Sequence, residues 1–257
     1  MSKVFAWGLV LVMVVFASSA LAQSLHPKTN APLVLTCYRG TPNLDGKLDE
    51  WRGLDAAVVD AEEQVFAGVD TWTGSADCSA KFYAMWDNSK IYIAVEAKDD
   101  KVVTTETGGN IWRNDCAEIF FATTNAVAGH AEHYQYGFTP NNLKWNWCNM
   151  DGAGSREPGY AAVKASNIAG GYAIEASVEY AQMMSLSFNT DTVIGFHPCL
   201  DDCDGDGTAR DLQITWTGLE AHDQTTGFGH LVLSSEIPTA VSASGKLATT
   251  WSYLKTQ

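Results

Sequence analysis

Apolar and polar residues alternate with a period of two along two long segments of this chain. From Lys90 to Lys98, Ile91, Ile93, Val95 and Ala97 fall on one side, and Tyr92, Ala94, Glu96 and Lys98 on the other. Successive side chains of a strand point to opposite faces, so this pattern predicts a half-buried strand and argues against a helix. Gly171 to Tyr180 repeats it, with Tyr172, Ile174, Ala176 and Val178 alternating with Glu175, Ser177 and Glu179. Further strand candidates are Leu33–Tyr38, Ala80–Trp86, Cys116–Ala122, His133–Thr139, Leu143–Cys148, Tyr160–Ala165, Val193–Leu200, Leu212–Trp216 and Phe228–Leu233. Asp87-Asn88 reads as a hairpin turn, and Gly108-Gly109-Asn110, Asp151 to Gly159 and Gly170-Gly171 supply larger breaks. About eleven strands, with a single helical turn at Ala181 to Leu186, predict an all-β fold. The expected form is a two-sheet antiparallel β-sandwich of jelly-roll or immunoglobulin-like kind.

The N-terminus sets the compartment. Lys3 precedes an uncharged apolar run, Val4 to Phe16, and Ala20-Leu21-Ala22 forms a small-residue cleavage site before Gln23. That order predicts a signal peptide over residues 1–22 and a secreted protein, periplasmic, cell-surface or extracellular. The run is short of the ~20 residues that span a bilayer. Gln23, not Cys, follows the cut, so a lipid anchor is not indicated. Residues 23–235 then read as one domain, and 236–257, a polar small-residue stretch carrying Trp251 and Tyr253, as a C-terminal tail.

Cleavage removes Lys3 and leaves 15 basic against 30 acidic residues. Nucleic acids and anionic membranes bind through clustered Lys and Arg, so neither is an expected partner. Hydrolysis needs a paired acid and base or an activated nucleophile, and the chain holds neither a GxSxG nor an HExxH motif. The expected function is binding without catalysis.

Six cysteines in an exported chain are compatible with disulfides, and Cys199 and Cys203 are close enough to staple a loop; buried free thiols are the alternative. Asp202-Cys203-Asp204-Gly205-Asp206-Gly207 places acidic side chains at positions 1, 3 and 5 of a calcium-type loop, but its twelfth position is Gln213. Calcium at Asp202, Asp204 and Asp206 is a candidate, while Asp49, Glu50, Asp99, Asp100 and Asp115 read as solvated turn carboxylates. A haem would need axial ligands drawn from Met85, Met150, Met183, Met184, His130, His133 and His197.

Several segments together carry a resemblance. Leu44-Asp45-Gly46-Lys47-Leu48-Asp49-Glu50-Trp51 opens the series. Ala80 to Asp87 with Ile91 to Val95 follows, then Ile111-Trp112-Arg113-Asn114-Asp115-Cys116-Ala117-Glu118-Ile119-Phe120, then Gly171 to Ala176. Ile194 to Asp202, Trp216 and Phe228-Gly229-His230-Leu231 complete it. In order and spacing these resemble the family 9 carbohydrate-binding modules, within a wider group of sandwich domains that bind sugars or haem. The resemblance implies a secreted, non-catalytic module that stacks a sugar on Trp112 and hydrogen-bonds its hydroxyls through Glu118. Its alternatives are a haem b electron-transfer domain of that fold group and a structural or adhesive surface protein. The chain also departs from the family pattern. Gly137 stands where the family uses an arginine, Cys199 where it uses a glutamine, and no aromatic follows Trp216 to close over the sugar. Trp145 and Trp147, two residues apart, are candidates to fill that role. Trp51 and Trp86 are assigned to the core.

Overall fold

The computed structural model describes residues 24–123, 133–147, 150–152, 154–220, 222 and 227–238. The expected signal peptide, His130, Cys148 and the tail beyond Pro238 lie outside the described residues. Thirteen strands form the described fold: β1 (Val34–Arg39), β2 (Ala57–Val59), β3 (Val65–Ala67), β4 (Cys78–Trp86), β5 (Lys90–Asp99), β6 (Cys116–Ala122) and β7 (His133–Phe138), then β8 (Lys144–Asn146), β9 (Ala161–Ile168), β10 (Gly171–Glu179), β11 (Val193–Asp202), β12 (Leu212–Thr215) and β13 (Gly229–Leu233). All eleven expected strands are present. β2 and β3 were not expected, being three residues each and too short to show a period. The helical turn falls at Tyr180–Gln182.

Hydrogen bonding runs β8-β7-β6-β11-β13-β1-β4-β5-β10-β9 as one continuous sheet. Where two separate antiparallel sheets are expected, β1 instead joins the halves by pairing in parallel with both β13 and β4. Parallel neighbours need a long connection, and the segment from Arg39 to Cys78, which carries β2 and β3, provides it. The sheet curls until its edges nearly meet: Ala165 N donates to Asn142 Oδ1 at 2.8 Å, and Asn146 Nδ2 to Tyr160 Oη at 3.3 Å. The result is close to a barrel.

Alternation explains the core directly. Leu35, Phe82, Ile91, Ile93, Val95, Ile119, Phe121, Tyr134, Tyr136, Tyr172, Ile174, Phe196, Ile214 and Leu231 point inward from both halves and are buried. A second cluster, Trp51, Tyr83, Met85, Tyr92 and Ala94, sits outside β4 and β5, where Leu44, Leu48 and Leu54 cover it. Glu175 of β10 ties that cover down, accepting from Trp51 Nε1 at 2.8 Å, Gly46 N at 2.7 Å and Asp45 N at 2.9 Å. A fully buried carboxylate is tolerable only with such donors. Gly46 has φ +83°, a left-handed turn that glycine adopts without strain. Trp51 and Trp86 are core residues, as expected.

Two expectations fail here. Cys37, Cys78, Cys116, Cys199 and Cys203 are all free and buried, so no staple links Cys199 to Cys203, whose Sγ instead donates to Ala209 O at 3.1 Å. Asp99 and Asp115 are not solvated turn groups either; they are 5% and 0% exposed.

Candidate functional site

The face of β6, β7, β11 and β12 turned away from the core carries the site. Glu118 stands opposite Gly137 on one neighbour and Cys199 on the other. Alternation then sets Phe120, Gln135, Asp201 and Gln213 on the same face as Glu118. Trp112 reaches over this face from a 3₁₀ turn, Gly108–Arg113, anchored by buried Ile111. Its indole is half-buried, with the guanidinium carbons of Arg210 and Arg113 at 5.1 and 5.4 Å from the ring centroid.

Trp112, Glu118, Phe120, Gln135, Trp147, Arg210, Gln213, Glu220 and His222 line a cavity of 240 Å³. That is roughly eight water volumes, enough for one pyranose ring with its hydroxyls. Trp112, Glu118 and Trp147 were expected at the site, and the structure brings all three together. Trp145, opposite Gly137 on β8, does not line the cavity: its ring packs on Gly108 and Gly109, and Nε1 donates to Ser155 Oγ at 2.8 Å. Trp147 crosses β7 at Gly137, donating from Nε1 to Gly109 O at 2.9 Å. A Cβ on Gly137 would lie 2.5 Å from the Trp147 ring and 3.1 Å from Cys116 Sγ. The glycine that replaces the expected arginine thus makes room for an aromatic wall.

The polar groups form one network. Gln135 Nε2 donates to Glu118 Oε2 at 2.6 Å. Arg210 Nη1 donates to Asp201 Oδ1 at 2.8 Å and stands 3.9 Å from Glu118 Oε1. Burial opposes the charge on Arg210, but Asp201 and Glu118 outweigh it and raise the guanidinium's pKa. Burial, with the Glu118 charge adding to it, pushes the Asp201 carboxyl well up despite Arg210. Behind the site, His197 stacks on Phe228 at 5.1 Å with Nε2 3.3 Å from Leu219 O; burial lowers its pKa to about 4, so the ring is neutral at ordinary pH. Such an arrangement offers apolar ring surface, a carboxylate acceptor, two amides and a cationic donor.

Sequence reasoning missed Gln135, Arg210, Gln213, Glu220 and His222. The two glutamines are read from strand register once partners are known, and Arg210 reaches the site only through the β11–β12 connection. A larger cavity of 490 Å³ lies on the opposite side beside Gly46–Arg52. Its described aromatic side chains, Trp51 and Tyr83, are both buried, and Lys47 and Arg52 are paired with Asp45 and Asp49.

The three expected calcium ligands do not converge. Asp202 joins Asp99 and Asp115 in a buried set whose carboxylate oxygens lie within 4.8 Å of one another. Asp204 groups with Asp77 and Asp100, and Asp206 turns to Thr208, accepting from its Oγ1 at 2.6 Å and its N at 3.0 Å. Burial, reinforced by mutual repulsion, raises Asp99 to about 6, Asp202 to about 8 and Asp115 to about 9. Of the haem candidates, Met150 and Met183 lie in the main core, Met85 in the outer cluster and Met184 at the surface, while His133 and His197 pack against Phe120 and Phe228 on the site face. The structure does not bring these methionines and histidines together.

An all-β scaffold presenting two indoles and a hydrogen-bonding floor in one cavity defines a small-ligand binding module. Residues 44–236 match the family model for the carbohydrate family 9 binding domain-like proteins, and the chain belongs to that family. It is a non-catalytic binding module. A carbohydrate-binding module of family 9 from Caldicellulosiruptor kristjanssonii, solved with cellotriose, superposes with a TM-score of 0.59 at 20% identity, covering 81% of this chain and 97% of that one. The chain is 24% identical over 208 residues to the exoglucanase XynX of Acetivibrio thermocellus, covering 79% of this chain and 17% of that one. To the endo-1,4-beta-xylanase A of Thermotoga maritima it is 27% identical over 191 residues, 74% of this chain and 16% of that one. It therefore spans about a sixth of the curated relatives' length. No helix among the described residues is long and apolar enough to cross a membrane.

Proposed function

We propose that the chain is an exported module that binds a saccharide in the cavity of Trp112 and Trp147. A pyranose has apolar C–H faces and a rim of hydroxyls. The indoles suit the faces, and Glu118, Gln135, Arg210 and Gln213 suit the rim. The observation that carries the reading is the convergence of both indoles with Glu118 in one cavity. A structural neighbour bound to cellotriose supports it. Stacking plus a few hydroxyl contacts corresponds to micromolar affinity, about −8 kcal/mol. The role that follows is retention of polysaccharide near the cell, with residues 1–22 directing export. A glycan array run with and without calcium, followed by calorimetry on the glycans retained, tests this. Failure of every neutral glycan to bind would overturn it.

Calcium belongs to the same proposal, at Asp99, Asp115 and Asp202. These three buried carboxylates have no ion pair among the described residues. Carboxylates packed this closely out of water must either hold protons or neutralise a cation. Tyr172 Oη is fully buried and has no hydrogen-bond partner among the described residues, and its pKa is raised by burial and by the charges of Asp115 and Asp99. Oxygen donors from several segments are what a hard cation prefers.

A further inference from the structure

A single carboxylate beneath the cavity, not itself part of the lining, holds two of the side chains that are. Asp201 is 1% exposed. Its Oδ1 accepts from Arg210 Nη1 at 2.8 Å and from Gln213 Nε2 at 2.9 Å. Its Oδ2 is buried and has no hydrogen-bond partner among the described residues. Arg210 comes from the β11–β12 connection and Gln213 from β12, so one acceptor binds two segments to one register.

We propose that Asp201 is the positioning residue of this site, holding Arg210 and Gln213 so that Glu118 keeps one oxygen free for a sugar hydroxyl. The proposal rests on the sugar reading of the cavity. Glu118 Oε2 is engaged by Gln135, whereas Oε1 stands 3.9 Å from Arg210 Nη1, beyond hydrogen-bond distance. Without Asp201, the nearest carboxyl oxygen to Arg210 among the described residues is Glu118 Oε1, 3.9 Å away. The guanidinium would close on Oε1 and occupy the acceptor that a hydroxyl needs. Arg210 also lies 5.1 Å over the Trp112 ring, so its displacement reaches the aromatic surface as well. A long side chain ordered before binding removes an ordering penalty that the ligand would otherwise bear.

The test is calorimetry with cellotriose on the wild type, Asp201→Asn, Asp201→Ala, Arg210→Ala/Gln213→Ala, and the triple variant that adds Asp201→Ala. Asparagine keeps an acceptor for both donors, so Asp201→Asn should stay within about threefold of wild type, while Asp201→Ala loses about tenfold or more. In the Arg210→Ala/Gln213→Ala background, Asp201→Ala should cost nothing further, because its effect passes through those two residues. An equal loss in both backgrounds, or unchanged affinity in Asp201→Ala, would overturn the proposal. Should Asp201→Ala fail to fold, a tenfold loss in Asp201→Asn overturns it alone. Side-chain nitrogen NMR without sugar separates the two readings. Slowly exchanging Arg210 and Gln213 signals in Asp201→Asn that vanish in Asp201→Ala support the positioning role; signals alike in both variants sink it. If those signals behave as expected but the wild type binds no glycan, the sugar reading fails alone.

Discussion

Trp112 and Gly137 show how differently two site residues announce themselves. Trp112 follows a glycine-rich break and lies outside any alternating strand, which marks it as a surface group from sequence alone. It is half-buried on a 3₁₀ turn, and in the proposed site its exposed face is the one a sugar would stack on. Trp112→Ala should cost about 2 kcal/mol of sugar affinity, roughly thirtyfold in Kd by calorimetry, with a nearly unchanged melting midpoint. A large drop in the midpoint with affinity intact would place the ring in the core. Gly137 is the opposite case. From sequence it is only a missing arginine, because nothing local reveals that Trp147, ten residues later, crosses the strand at that point. A Cβ there meets the indole at 2.5 Å, too close to be absorbed. Gly137→Ala should therefore displace Trp147, destabilise the fold by roughly 1–3 kcal/mol and reduce sugar affinity at least as much as Trp147→Ala. Wild-type affinity in Gly137→Ala would show that Trp147 is no wall of the site.

Among the elements, long strands were legible and their partners were not. β5 and β10 alternate over nine or more residues and declare one buried face. The parallel placement of β1 between β13 and β4 leaves no trace in its own six residues. The same limit explains the calcium expectation. Asp202, Asp204 and Asp206 look like a local loop, but strand ends bring Asp99 and Asp115 to Asp202 from far along the chain. Each of the three holds its proton in the folded chain to higher pH than in the unfolded one, first because it is buried. The folded state then binds more protons, so stability without a cation falls as pH rises from about 4 through the folded values near 6, 8 and 9. Calcium should flatten that slope. At a hundredfold excess over Kd it adds roughly 2–3 kcal/mol, or about 5–10 °C in a domain of this size. Calorimetric melts at pH 5 and pH 9 with calcium or chelator check both effects. Asp202→Asn should abolish the calcium response and Asp206→Ala should not, and the reverse pattern would restore the local loop as the site.

For the molecule as a whole, charge separates the candidate ligands more sharply than shape does. The chain carries a formal charge of −14, yet its cavity places Arg210 beside Glu118 and Glu220, so the site has no cationic surplus to attract an anion. An anionic polysaccharide would meet long-range repulsion at low salt, and binding would strengthen as ions screened it over a Debye length of about 10 Å at 0.1 M. A neutral saccharide releases no counterions and meets no such barrier, because its affinity comes from stacking and hydrogen bonds inside the cavity. The Kd for cellotriose should therefore change by less than about twofold between roughly 0.05 M and 0.5 M sodium chloride, where Debye lengths differ about threefold. Calorimetry in non-chelating buffer at fixed calcium makes the comparison, since the proposed cation site would otherwise add its own salt dependence. A steep loss of affinity with salt would mean that Arg210 acts as an exposed charge, detached from Asp201 and reading an anionic group on the ligand.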